Sequence, residues 1–173
     1  AARTRPRGQA PPNPERKVQA DMEHEEHHHS TEQDLRQFRI NKLERIRARG
    51  DEPYKYAFTR TCMIGEARED FEAAEATAAE GRPAEIPAAL GGRIMAFRSH
   101  GKSAFADLRD ETGKIQVFLG LNQIGEAAYA ALDDLDIGDF IGVHGTVKRT
   151  KRGEITIFAE RYEVLCKSLR ALP

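Results

Sequence analysis

Cysteine is scarce in this sequence. Only Cys62 and Cys166 occur in 173 residues, far apart, with no second thiol or histidine at ligand spacing. They read as two reduced thiols of a cytosolic protein, not as a disulfide framework or a cysteine zinc site. Long apolar runs are missing too. No stretch approaches the roughly 18 residues that span a bilayer, and the opening AARTRPRGQAPPNPERK lacks the apolar core of a secretory signal. Together these absences lead to an expected cytoplasmic location. An excess of one charge is also absent: 27 Lys and Arg face 28 Asp and Glu, for a net charge of −1. That balance does not exclude a nucleic-acid partner, because local stripes of charge matter more than the sum. The chain opens on Ala1, with Met22 ahead of the first ordered-looking segment, as expected of a processed chain or a piece of a longer one.

What is present changes along the chain. Residues 1–30 carry Pro6, Pro11, Pro12 and Pro14 among many charges, so a disordered tail is expected, with too little apolar surface to offset the entropy of ordering. His24, His27, His28 and His29 fall in that tail, where no fold fixes them, and no metal site is assigned. A helix is expected near 31–49, capped by Ser30 or Thr31 and ended by Gly50. Leu35, Phe38, Leu43 and Ile46 approximate its apolar stripe, while Arg36, Arg39, Lys42, Arg45, Arg47 and Arg49 make the other face basic. That face is either a solvated helix surface or a phosphate-binding ridge. DEPYKY (51–56) reads as a linker, and the alanine- and glutamate-rich 64–80 as partly helical, broken at Gly81 and Pro83. Residues 31–85 are thus a helical extension and linker, and 86–173 a second unit.

From Ile86 the pattern becomes that of strands. ALGGRIMAFRSHG is a first strand, bent or bulged at Gly91-Gly92. KSAFADL and KIQVFLG form a hairpin turning at Asp110–Gly113. NQIGEAAYAALDDL is a short helix with Ile124, Ala128, Ala131 and Leu132 on its apolar side. DFIGVHGTVKRT and EITIFAERYEVLCKSL are the fourth and fifth strands. Five short strands with a helix between the third and fourth predict a mainly β protein, an OB-fold Greek-key barrel, preceded by N-terminal helices and the tail.

Alternation buries Ala104, Ala106 and Leu108 and leaves Phe105 on the outer face. With Glu111 and Thr112 as loop residues, Phe105 lies across from Phe118 and Asp107 across from Gln116, so Phe105 and Gln116 share one face a diagonal step apart. Glu154 opens the fifth strand beside a turn carrying Lys148, Arg149, Lys151 and Arg152. Arg98, His100 and Lys102 lie in the first turn of the barrel, which an OB-fold brings to the same face. Singly, each residue is ordinary: a phenylalanine under a loop, a solvated basic edge, polar strand surface. Together they offer a stacking platform, an amide that matches an imide edge such as uracil's, a carboxylate that accepts from a ring N–H or a ribose hydroxyl, and cations for phosphates.

The segments GRIMAFRSHGKSAFADLRDETGKIQVFLG (92–120), LDIGDFIGVHGTVKRTKRGEITIFA (135–159) and CKSLRALP (166–173) closely resemble the anticodon-binding domain of bacterial-type lysyl-tRNA synthetases. RINKLERIRARGDEPYKYAF (39–58) is similar to that family's N-terminal helix and linker. The resemblance implies that Phe105 stacks on the middle anticodon uridine and that Gln116 and Glu154 hydrogen-bond it. It also marks Arg98 as a residue near the anticodon. Lys102, Lys148, Lys151 and Arg39 are further candidate anticodon or phosphate contacts. His100, Ala104 and Arg109 depart from the residues common at their places. The family enzyme is a class II ligase that joins lysine to tRNA with ATP and Mg2+, and a homodimer. Its catalytic domain follows the anticodon domain, so this chain is expected to be a noncatalytic N-terminal fragment with no catalytic residue, cofactor or metal of its own. Competing readings are the anticodon domain of an aspartyl- or asparaginyl-tRNA synthetase, a general single-strand or trans-acting tRNA-binding module, and a protein-interaction domain anchored by Phe105 and Phe118.

Overall fold

A computed structural model describes residues 14–79 and 83–170, with side chains from residue 31 onward. Two helices, α1 (Pro14–Ala48) and α2 (Ile64–Thr77), precede five strands: β1 (Ile86–His100), β2 (Ser103–Arg109), β3 (Lys114–Gly120), β4 (Phe140–Arg149) and β5 (Ile155–Cys166). The strands close into a barrel in the order β1-β2-β3-β5-β4. All neighbours run antiparallel except β3 and β5, which are parallel. This is the mainly β, five-stranded OB barrel expected from the strand order.

Alternation fixes which side chains fill it. Ala104, Ala106 and Leu108 of β2, Val117 and Leu119 of β3, and Ile157 and Ala159 of β5 are wholly buried. A slip of one residue would turn each set outward, so the register is strongly specified. Phe105 pairs with Phe118 and Asp107 with Gln116, as the hairpin reading placed them. The β1 irregularity differs from expectation. It falls between Ile94 and Ala96, while Gly91 and Gly92 stay in regular register with Gly142 and Ile141. The glycines serve close approach instead of a bulge. Phe58 of the linker lies over this patch, and a Cβ on Gly142 would stand 2.4 Å from its ring.

The connection from β3 to β4 is not one helix. It breaks at Gly125, φ 83°, into α3 (Leu121–Ile124), α4 (Glu126–Ala130) and a 3-10 turn, Ala131–Asp134. Leu132 and Leu135 enter the core, and the Tyr162 hydroxyl donates to the Ala128 carbonyl at 2.9 Å. α2 closes the barrel with Ile64, Ala67 and Phe71, all buried. Its first two amides are capped from the β2–β3 turn: Ile64 N–H donates to Asp110 Oδ2 at 2.9 Å and Gly65 N–H to Thr112 Oγ1 at 2.8 Å.

α1 begins at Pro14, upstream of the predicted Ser30 or Thr31 cap. Proline suits the first helical position, and neither glycine nor proline follows until Gly50. Residues 14–30, expected within the tail, therefore join the helix, while residues 1–13 and the histidine side chains lie outside the description. Only part of the predicted stripe is used. Leu43 and Ile46 are buried, but Leu35 and Phe38 are exposed. The basic face, not the stripe alone, docks the helix. Arg45 Nε and Arg49 Nη1 donate to the buried Asp134 carboxylate at 2.7 and 2.5 Å, and Lys42 Nζ to Asp136 at 2.7 Å. The wholly buried Lys167 joins the same cluster, binding Asp136 and, at 2.7 Å, Asp139. Burial pushes the Asp139 carboxyl up against the pull of Lys167. Burial raises Asp136 as well, but Lys167 and Lys42 outweigh it and hold that carboxyl below its usual range.

Candidate nucleic-acid interface

The outer face of β2, β3 and β5 is organised in rows set by the strand register. Phe105, Phe118 and Phe158 are paired across the three strands. Their rings pack at 5.1 and 5.2 Å between centroids, tilted by 53° and 52°. The herringbone leaves Phe105 at the open end, half-buried, beside Arg98 of β1, its partner in register. The next row holds Asp107, Gln116 and Thr156. Phe105, Asp107 and Gln116 of these rows line an open depression of about 830 Å3. Its walls are the end of β1 with Ser99 and His100, and the β4–β5 turn with Lys151, Arg152 and Glu154.

Two local devices fix the polar groups. Thr156 is buried, and its hydroxyl donates to Gln116 Oε1 at 3.1 Å. The Gln116 NH2 group has no partner among the described residues, so the amide presents a donor to the depression. The β4–β5 turn is closed by its own backbone. Thr150 N–H donates to the Glu154 carbonyl and Gly153 N–H to the Thr150 carbonyl, both at 2.9 Å. Thr150 Oγ1 accepts from Glu154 N–H at 3.1 Å. Gly153, with φ 89°, supplies the left-handed corner that other residues resist. Arg149 then ties the turn to α2: Nη1 donates to the Gly153 carbonyl at 2.7 Å, while Nε and Nη2 grip Glu75 at 2.7 and 2.5 Å. The hydrogen bond from Arg149 holds the Glu75 carboxyl below its usual range. The Glu154 carboxylate itself makes no hydrogen bond or ion pair among the described residues.

Five of the predicted residues meet here: Phe105, Gln116, Glu154, Arg98 and Lys151. Three do not. Lys148 is paired with Glu85 at 3.3 Å and sits over the Phe158 ring at 5.0 Å. Lys102 lies in the β1–β2 turn outside the lining. Arg39 donates to the carbonyls of Ile137, Ser168 and Arg170 and anchors the segment after β5. Sequence reasoning missed Lys114, which lines the depression without an ion-pair partner among the described residues, and Thr156 as the support of Gln116. Asp107 also lines it, 3.8 Å from Arg98. Among the described residues no group of three or more His, Cys, Asp or Glu is placed to hold a metal ion. Nor is any helix there long and apolar enough to cross a membrane.

A closed five-stranded barrel with an aromatic, an amide and a carboxylate on one cation-rimmed face defines an OB-fold nucleic-acid-binding domain. Residues 88–165 match the family model of the OB-fold nucleic acid binding domain, in its tRNA anticodon class. Across more of its length, the chain is 42% identical over 142 residues to lysine–tRNA ligase of Moorella thermoacetica, covering 82% of this chain and 27% of the relative. It is 41% identical over 152 residues to that of Carboxydothermus hydrogenoformans (88% and 28%), and 40% identical over 147 residues to that of Gloeobacter violaceus (82% and 29%). Over most of its length the chain is thus similar to lysine–tRNA ligases, and its residues 88–165 match an OB-fold nucleic acid binding domain. It spans between a quarter and a third of the length of these curated relatives.

Proposed function

We propose that the depression grips the middle uridine of a lysine-accepting anticodon. The observation that carries this reading is the meeting of Phe105, Gln116 and Glu154 around one space. The Phe105 face takes the unstacked base, worth roughly 1–3 kcal/mol and indifferent to base identity. Identity comes from the edge. The Gln116 NH2 donates to a uracil carbonyl, and the Glu154 carboxylate accepts from the ring N3–H. Cytosine offers a lone pair at N3, which faces that carboxylate and leaves it unmatched. A hydrogen bond to a charged group is worth roughly 1.5–3 kcal/mol, so the swap costs on the order of 10- to 100-fold in affinity. Arg98, Lys114, Lys151 and Arg152 attract the flanking phosphates.

In this reading residues 86–173 are the binding unit and 31–85 its helical extension and linker. The complete protein is a cytoplasmic lysine–tRNA ligase, homodimeric and dependent on ATP and Mg2+, with those ligands assigned to no residue of this chain. The test is a titration of an anticodon stem-loop with uridine or cytosine at the middle position, at several salt concentrations. Preference for uridine at every salt supports the proposal. Equal binding overturns it in favour of a general single-strand module, and no binding in favour of a protein partner.

A further inference from the structure

α2 lies outside the matched OB segment, yet it touches the β2–β3 turn and the β4–β5 turn, the second of which walls the depression. Its N-terminus is capped by Asp110 and Thr112 of the β2–β3 turn. About three turns later Glu75 takes the Nε–Nη2 edge of the Arg149 guanidinium at 2.7 and 2.5 Å. Arg149 turns its third nitrogen, Nη1, to the Gly153 carbonyl, the residue immediately before Glu154. Arg149 itself does not line the depression. Its guanidinium also lies 5.7 Å from the ring of the buried Phe71, which seats α2 on the barrel. The Glu154 carboxylate has no side-chain support of its own, so its aim depends on the turn that carries it.

From this geometry we infer that Glu75 and Arg149 are positioning residues for base selectivity: α2 acts as a strut that holds the β4–β5 turn and so aims the Glu154 carboxylate into the depression. The inference rests on the reading of Glu154 given above. A planar fork gripping a carboxylate in two places while reaching a carbonyl with a third donor fixes direction as well as distance, which a lysine ammonium does not reproduce. Losing the strut therefore costs discrimination more than attraction. Stacking on Phe105 and the pull of Lys114 do not pass through Arg149, and the attraction of Lys151 and Arg152 for phosphates depends on charge and distance more than on aim.

The experiment uses the uridine and cytosine stem-loops with the parent chain, Arg149→Lys and Glu154→Ala. Arg149→Lys keeps the charge and removes the fork. It is expected to lower the uridine-to-cytosine affinity ratio by about tenfold, to leave cytosine-loop affinity and its salt slope unchanged, and to leave the melting temperature within a few degrees. Glu75→Gln, which leaves Arg149 intact, is expected to lower the ratio in the same direction. Amide hydrogen exchange at Gly153 and Glu154 should quicken in both variants without any ligand. A ratio unchanged in Arg149→Lys while Glu154→Ala abolishes it overturns the strut and leaves the base-reading role standing. A parent chain that does not discriminate overturns both. Should either variant melt far below the parent, unchanged exchange at Gly153 and Glu154 in the other overturns the strut.

Discussion

Phe105 occupies a position where burial would have been available on the other face of the same strand. Its neighbours Ala104 and Ala106 are wholly buried, while it is half-buried and meets the Phe118 ring at a tilt of 53°. Phe105→Ala should therefore weaken stem-loop binding by roughly 1–3 kcal/mol with little loss of fold stability. Filter binding and a denaturant titration on the same preparation check both halves. Its outward aim, and that of Gln116, was legible because the side-chain period of a strand is two residues. Thr156 was not legible as a partner, although its parity was. Its contact with Gln116 arises from parallel pairing 40 positions away in sequence. The same limit explains Lys148 and Arg39. A cation in a sequence shows its charge, but not the Glu85 carboxylate 63 positions off or the carbonyls 98 to 131 positions off that occupy it.

Elements are joined here by turns that do two jobs. Asp110 closes the β2–β3 turn by accepting from Thr112 N–H, Thr112 Oγ1 and Gly113 N–H, and caps α2 by accepting from Ile64 N–H. Burial pushes the Asp110 carboxyl up, but these four donors outweigh it and hold it below the usual 3.8. A depressed carboxyl contributes stability that is present above the unfolded value and lost as pH falls through the folded one. Asp110→Asn should cost about 1–2 kcal/mol at neutral pH, the charged-acceptor value discounted for its exposure. In urea titrations the gap between parent and variant should stay level down to about pH 5 and close below about pH 4. A gap that widens in acid contradicts the assignment. This turn was readable from Asp110 and Gly113, and the hairpin register followed from it. The bulge near Met95 and the upstream start of α1 were not readable. Glycine pairs signal a bulge or a close approach equally, and the proline-rich tail hid a proline at a helix N-terminus.

For the whole molecule, a net charge of −1 conceals a partition. At the α1 side, Lys42, Arg45, Arg49 and Lys167 are matched by Asp134, Asp136 and Asp139 in the docking cluster. At the depression, Arg98, Lys114, Lys151 and Arg152 face only Asp107 and Glu154. The depression thus carries four cations against two carboxylates beside the ring and the two hydrogen-bonding groups. The most direct test is nuclear magnetic resonance of the middle uridine in a stem-loop labelled at that base. The account predicts that its imino proton, lost to solvent exchange in the free loop, appears on binding, that its ring protons move upfield over Phe105, and that Glu154→Ala removes the imino signal while the upfield shift remains. An imino signal that persists unchanged in Glu154→Ala, or ring protons that do not move on binding, would contradict it.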